Sequence, residues 1–346
     1  MKGKLITIAV IATLAIFGLT ILYGAEDNPN KHKNGFQRKF IANAITRIKV
    51  APFENAVYQL CGTNGGLLYL SGQIPGLVYV ADRQLSRIYT VQLPLPKIPN
   101  LAPVFYTVVC FPDIFILGGN IKIIISGNLL TKKYTIHNLN TGPFGNVSVA
   151  GNNNFILRDI DTLTYNALFK KVNRRGEVQQ AEKGISERLH DFGFLDYGKL
   201  TYDSTTHLFV YVSRYSNRIT CFDSSLTVQY ISRTIDTSSH PKINIAKEQG
   251  SVTIKTPPFT VNQDACSSQG QLFVHSGLKA DDENTSDFND RAVFDVYTEI
   301  TGAYIGSFYI PNYDGESFKN FNILGKNRLI VFYDQHIVSY DLTSTN

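Results

Sequence analysis

The sequence predicts an all-β fold, a six-bladed β-propeller built from four-stranded antiparallel blades. A unit made of a short apolar strand, a polar turn and a second apolar strand occurs six times. Equivalent positions in these units recur about every 53 residues, a spacing that fits a four-stranded blade with variable loops. The chain also contains 19 Tyr and 22 Phe, and aromatic side chains favour strands.

The six units are interpreted as the two inner strands of each blade. Two copies are the clearest, 58–61 with 67–70 and 108–110 with 114–117. The other four are 147–150 with 155–157, 200–202 with 208–212, 265–266 with 272–275, and 321–324 with 329–332. With their outer strands, they predict blades over 56–94, 104–139, 145–182, 198–236, 251–311 and 317–342.

The two ends of the chain predict how the ring closes. The last unit has only three strands before the sequence ends, and residues 40–50 form a strand-like segment with no hairpin partner nearby. We therefore expect residues 40–50 to supply the outer strand of the last blade. Closure removes the open sheet edge that would otherwise promote aggregation.

The N-terminus predicts a membrane anchor. Residues 1–4 carry two lysines, and residues 5–25 contain no charge. A helix of this length spans about 30 Å, the hydrocarbon thickness of a bilayer. We expect an uncleaved single-pass signal-anchor, with a cleaved signal peptide as the alternative. The preceding lysines weakly favour a cytoplasmic N-terminus.

That orientation places the rest of the chain outside the cytoplasmic (inner) membrane, facing the periplasm or the cell exterior. Residues 1–4 are then a cytoplasmic tip, residues 26–39 a polar tether, residues 40–342 the propeller and residues 343–346 a tail.

Several segments, in order, resemble the TolB-like six-bladed β-propeller proteins of Bacteroidetes, many of which have no known function. The segments are NGFQRKF, YQLCG with LLYLSG, GKLTYD with LFVYVSRYSNRITCFDSSL, RTIDT, LFVHSGLKADDEN, VFDVYTEITGAYIGSFYIP and IVSYDL. The resemblance covers residues 34–342 and implies the propeller fold, but no chemistry. Many such proteins are lipoproteins, whereas this chain lacks a cysteine to be acylated after its apolar segment.

Composition and cysteine spacing argue against several classes of site. The net charge of +5 is spread along the chain without a basic stripe, so we expect no nucleic-acid partner. None of the four cysteines forms a CxxC pair, so we expect no metal site, and no motif predicts a cofactor. We favour the interpretation that the cysteines are buried as small apolar side chains. The alternative is a Cys61–Cys110 disulfide between neighbouring inner strands.

Two loops on the expected mouth of the central channel carry candidate ligand-binding residues. His190, Asp191 and Asp196 precede the inner strand of blade 4. Such a set suits acid–base chemistry or metal binding, but a polar loop is the simpler interpretation.

The second candidate loop joins two strands of blade 4. Arg214, Tyr215 and Asn217 lie in it, and an arginine fork suits a carboxylate or phosphate. The alternative is an ordinary hairpin turn with an exposed ion pair.

An acidic loop at 281–290 is interpreted as solvated and mobile rather than as a calcium site.

The sequence therefore favours a membrane-anchored binding or scaffolding module, with a protein or small-molecule partner at the channel face. It contains neither a nucleophile elbow nor a phosphate-binding loop, so no catalytic residue is predicted. The alternative is a propeller enzyme, a metal-dependent hydrolase or a lactonase-like protein, with its site at the channel mouth.

Overall fold

The structure is a computed structural model, and it describes most of the chain. The described residues are 12–13, 15–17, 28–53, 57–101, 104–151, 154–161, 163–164, 166–186, 196–239, 244–248, 251–256 and 258–343. Within them the chain forms six four-stranded antiparallel sheets and one two-stranded sheet. The predicted six-bladed propeller is confirmed.

Five blades are built from consecutive strands. Blade 1 contains β2 (Val57–Asn64), β3 (Leu67–Gly72), β4 (Leu77–Asp82) and β5 (Ile88–Gln92). Blade 2 contains β6 (Phe105–Cys110), β7 (Asp113–Gly118), β8 (Ile123–Asn128) and β9 (Tyr134–Asn138). Blade 3 contains β10 (Phe144–Val149), β11 (Asn154–Ile160), β12 (Ala167–Asn173) and β13 (Val178–Glu182).

Blade 4 contains β14 (Gly198–Asp203), β15 (Leu208–Ser213), β16 (Arg218–Asp223) and β17 (Val228–Arg233). Blade 5 contains β20 (Asn262–Ser268), β21 (Gln271–Ser276), β22 (Arg291–Thr298) and β23 (Tyr304–Pro311), with a short helix (Thr285–Asn289) between β21 and β22. Blade 6 contains β24 (Asn320–Leu324), β25 (Arg328–Phe332), β26 (His336–Leu342) and β1 (Ile45–Pro52).

The start of blade 5 differs from the expectation. Blade 5 was expected over 251–311 but begins at β20, which contains the predicted inner strand 265–266; residues 251–256 form β19 (Ser251–Thr256), which pairs with β18 (Asn244–Glu248) in a separate hairpin. The alternation of polar and apolar residues in 251–256 is correct for a strand but says nothing about its partner.

Burial differs between the strands of a blade because of how blades pack. The second strands are buried on both faces, as in β7, because each lies between two neighbouring blades. The outermost strands alternate or are exposed, as in β5 and β17. The apolar cores therefore lie between blades, for example Phe115 of blade 2 against Phe155 of blade 3 with ring centroids 5.0 Å apart.

The first and last strands close the ring. β1 pairs with β26 in antiparallel register, from Ile45 opposite Leu342 to Pro52 opposite His336. Beyond the strand, the Thr343 amide donates to the Ala44 carbonyl over 2.8 Å. The closing strand is thus the outermost strand of blade 6.

The cysteines are free thiols, so the alternative Cys61–Cys110 disulfide is absent from the structure. Cys61 of β2 packs between blades 1 and 2. Cys110 of β6 packs on the other side of blade 2, between blades 2 and 3. Adjacent strands alone do not make a disulfide, because alternate side chains point to opposite faces. Burial raises the pKa of the Cys61 thiol to about 12.

The described helical residues near the N-terminus are 12, 13 and 15–17. Most of the predicted anchor, 5–25, lies outside the described residues. Among the residues that the structure describes, no helix is long and apolar enough to cross a membrane.

Residues 28–41 lie against blade 5, and we call them the N-terminal strap. Residues 28–39 belong to the predicted polar tether, and residues 40–41, predicted as the start of the closing strand of blade 6, pair with blade 5 instead. The last residues of the strap add to the outer edge of β23: the Ser307 amide donates to the Lys39 carbonyl, and the Ile41 amide donates to the Ser307 carbonyl, both over 2.8 Å. A parallel bridge joins Phe40 to Ser307. The strap therefore covers an otherwise open edge.

Arg38 fastens the strap to the acidic loop of blade 5. Arg38 is 6% exposed, and its guanidinium forms ion pairs with Asp295, at 2.8 Å, and with Glu283. It also donates to the Leu278 carbonyl over 3.0 Å. The Asp281 carboxylate accepts the Asn34 amide over 2.6 Å. Asp281 and Glu283, at the start of the loop interpreted as solvated and mobile, therefore hold the strap, whereas most of the loop from Asn284 to Asp290 is exposed.

Replacing Arg38 should destabilise the protein strongly. Arg38→Met leaves the carboxylates of Glu283 and Asp295 buried without their cation, which costs about 3–5 kcal/mol. Urea denaturation of the full chain in detergent measures the loss in free energy of unfolding. The matched control is Lys39→Met, at the exposed neighbouring position, which should change stability by less than about 0.5 kcal/mol. Equal losses in the two variants would contradict the assignment.

Candidate functional site

The six inner strands surround a central channel. Its cavity of about 300 Å³ is lined by residues of β2, β6, β10, β14, β20 and β24. The polar lining residues are Gln59, Tyr106, Thr107, Asn146, Ser148, Lys199, Thr201, Tyr202, Asn320 and Asn322. Each inner strand begins at one end of the channel, and the loops that join the second and third strands of each blade lie at the same end. We call this end the mouth face.

One ion pair lies in the channel wall near the mouth. Lys199 of β14 contacts Asp264 of the adjacent β20, with Nζ 2.7 Å from Oδ1. Burial opposes the charge on Lys199, but the neighbouring Asp264 carboxylate raises the pKa of the ammonium above its ordinary value. The Lys199 side chain is still 41% exposed, so it can contact both Asp264 and a molecule in the channel.

Other lining side chains tie neighbouring blades together. The Tyr106 hydroxyl of blade 2 donates to the Gly145 carbonyl of blade 3 over 2.5 Å. Asn146 of blade 3 donates to the Gly198 carbonyl of blade 4 over 3.0 Å. These bonds hold the wall of the channel in place, so the polar groups that remain are presented on a rigid frame.

Arg214 and Tyr215 lie at the rim of the mouth, as their position between β15 and β16 predicts. Both are half-buried. The Arg214 carbonyl accepts the amides of Val261 and Asn262 over 2.8 and 3.0 Å, which fixes the turn to blade 5. The guanidinium donates to the Gln263 carbonyl of β20 over 3.4 Å.

Asn217, the third residue predicted in this turn, has a structural position. It is 4% exposed. Its side chain donates to the Asp236 carbonyl over 2.8 Å, and its amide donates to the Ser238 carbonyl over 2.9 Å. Asn217 therefore holds the loop that follows β17 rather than facing the mouth.

Of the other predicted set, Asp196 is buried and His190 and Asp191 lie outside the described residues. The Asp196 carbonyl accepts Arg158 Nε over 2.9 Å and the Tyr211 hydroxyl over 2.6 Å. The Asp196 carboxylate lies 3.8 Å from the Arg158 guanidinium. These contacts fix the start of blade 4 against blade 3.

A buried acidic pair lies at the end opposite the mouth, between blades 4 and 5. Glu299 is 0% exposed and accepts the Thr206 hydroxyl over 2.7 Å. Burial, and then the neighbouring Asp203 carboxylate, raise the pKa of Glu299 to about 8. Among the described residues, no group of three His, Cys, Asp or Glu side chains is placed to hold a metal ion.

Two wider clefts open on the flank of the propeller. One, of about 430 Å³, lies between blades 2 and 3 and includes Lys133, His137, Arg174 and Arg175. The other, of about 510 Å³, lies between blades 5 and 6 and is lined by Arg47, Arg291, Tyr309, Tyr313 and Tyr340 among others. Each is shaped by one pair of blades, whereas the channel gathers side chains from all six.

Sequence reasoning missed Lys199, Asp264, Arg158 and Arg38. A local signal exists for one of them, since Arg158 interrupts the apolar strand FILRDI. A charge within a strand buried on both faces has to find a partner in a neighbouring blade. That partner could not be named because it lies about 40 residues further along the chain.

Comparisons with known proteins support the fold. No family model matches the chain, and no curated protein matches it. A structure of a DUF4221 family member from Bacteroides vulgatus has a TM-score of 0.55 and 13% identity, over 88% of this chain and 99% of that one. Virginiamycin B lyase from Staphylococcus aureus has a TM-score of 0.52 and 9% identity, over 86% and 100%. At these identities the likeness shows the propeller fold alone.

The raised pKa of Glu299 predicts a loss of stability at alkaline pH. Its pKa lies near 4.5 in the unfolded chain and near 8 in the folded protein. The folded protein therefore holds the proton more tightly, and this contribution is complete below about pH 4.5 and lost as the pH rises through about 8. Glu299→Gln removes this dependence, because the amide resembles the protonated acid without ionising.

Chemical denaturation at pH 5 and pH 9 measures this difference. The Glu299→Gln variant should be about as stable as the wild type at pH 5 and more stable by about 1 kcal/mol or more at pH 9. Glu177→Gln, at an exposed turn position, is the matched control and should keep the wild-type dependence. A wild-type pH profile in the Glu299 variant would refute the assignment.

Proposed function

We propose that the chain is a membrane-anchored, extracytoplasmic β-propeller that binds a polar ligand or a protein partner at the mouth of its central channel. The observation that carries this proposal is the channel wall, which is lined by side chains from all six blades and includes Lys199, the ion-pair partner of Asp264. Concave sites with a few fixed polar groups are the usual form of a binding pocket.

Arg214 and Tyr215 extend this site to the rim. The turn that carries them is fixed to blade 5 through two backbone hydrogen bonds, while both side chains keep exposed surface. An arginine and a tyrosine held in this way are common anchors of binding interfaces.

The resemblance to the TolB-like propellers of Bacteroidetes supports placing this chain in that group. The enzyme alternative depends on His190 and Asp191, outside the described residues, and stays a prediction.

The membrane anchor and the location belong to the same proposal. The uncharged run at 5–25 and the lysines before it support a single span with the propeller outside the cytoplasmic membrane. Arg38 attaches the strap to blade 5. This attachment supports a propeller that is held close to the proposed anchor.

Photocrosslinking in cells tests the binding site. A photoreactive phenylalanine derivative at Tyr215 should form a discrete adduct, because this position lies at the mouth. The matched control has the same derivative at Phe111, which is 38% exposed in a turn at the opposite end. Adding Arg214→Glu should abolish the Tyr215 adduct by reversing the charge at the rim. Identical adducts from both positions, or an adduct that persists in the Arg214→Glu protein, would count against the proposal.

Carbonate extraction tests the anchor. The wild-type chain should stay in the membrane pellet, whereas a variant with Ile8→Arg and Leu14→Arg should be extracted, because two charges in the apolar run oppose insertion. In spheroplasts, a membrane-impermeant amine reagent should label the propeller lysines without lysis. Extraction of the wild type, or labelling only after lysis, would contradict the proposed location.

A further inference from the structure

The N-terminal strap leaves the propeller on the mouth face. Asn30 donates to the Gly277 carbonyl over 3.1 Å and accepts the Lys279 amide over 2.8 Å. Both partners lie in the loop between β21 and β22. The Thr237 hydroxyl, in the loop after β17, donates to the Asn34 carbonyl over 2.8 Å. These two loops are on the same side of the ring as the channel mouth.

The chain from this face to the predicted anchor is short. The apolar run ends at Ala25, and Asn28 is the first residue of the strap. Three residues span at most about 11 Å when fully extended. A bilayer crossed by residues 5–25 must therefore begin within that distance of the mouth face at blade 5. This step rests on the proposed anchor.

We propose that the mouth face of the propeller lies flat on the outer surface of the bilayer, with Ile74 and Leu163 in the lipid head-group region. Leu163, in the loop between β11 and β12, is 90% exposed, and Ile74, in the loop between β3 and β4, is 56% exposed. Both loops project from the mouth face. Aliphatic side chains at the tips of such loops are suited to an interface of this kind.

The three contact points are spread around the ring. The strap lies on blade 5, Ile74 on blade 1 and Leu163 on blade 3. Contacts on alternate blades of a six-bladed ring define a plane, so they orient the whole face rather than one edge.

The channel mouth then opens towards the membrane. A ligand reaches Lys199 and Arg214 through the gap between propeller and bilayer, or comes from the bilayer surface itself. The opposite face, with the turns of Leu130 and Ile300, points away from the membrane.

Single-tryptophan fluorescence tests this orientation, because the native chain contains no Trp. Leu163→Trp places the probe on the mouth face. Leu130→Trp, at a turn position that is 67% exposed on the opposite face, is the matched control. The full chain is reconstituted into vesicles of phosphatidylcholine and phosphatidylglycerol, with and without brominated acyl chains. Leu163→Trp should lose at least about half of its emission to the brominated lipid, whereas Leu130→Trp should lose none.

The outcomes separate this inference from the proposed anchor. Quenching of Leu163→Trp alone, with the protein resistant to carbonate, supports the orientation. Quenching of neither probe, or of Leu130→Trp, in a carbonate-resistant protein overturns the orientation and leaves the anchor intact. Extraction by carbonate overturns both. Ile74→Trp repeats the test on blade 1 and should behave as Leu163→Trp does.

Discussion

Burial between neighbouring blades is the constraint on which the rest of this structure depends. The second strand of each blade is apolar on both faces, so a single blade cannot bury its own core. Each blade is stable only with two neighbours, and the ring must close. The pairing of β1 with β26 meets that requirement and gives blade 6 its fourth, outermost strand.

Polar groups within the ring join parts of the chain that lie far apart in the sequence. Arg158 connects blade 3 to the start of blade 4, and the Lys199–Asp264 pair connects blades 4 and 5. Arg38 connects the N-terminal strap to blade 5. Buried charges add little to stability when compared with apolar packing, but their pairing fixes geometry.

The fold could be predicted because the repeat appears in local sequence patterns. Alternating apolar strands and polar turns recur six times, and an incomplete last unit indicates the strand that closes it. The start of blade 5 was placed too early, at 251, because the strand pattern of residues 251–256 does not identify their partner. In the candidate site, turn position predicted that Arg214 and Tyr215 lie on the mouth face. The burial of Asp196 and Asn217, and the pairing of Lys199 with Asp264, depend on contacts between blades that local patterns do not encode.

The seam of the ring also determines the order in which the chain can fold. β1 is made near the start of synthesis but pairs with residues 336–342, near the end. Arg38 likewise waits for Glu283 and Asp295. Such contacts have a high sequence separation, which slows folding and leaves a strand edge unsatisfied while the chain is being made. The N-terminal segment with Arg38 and β1 is therefore among the first to be synthesised and among the last to reach its final place.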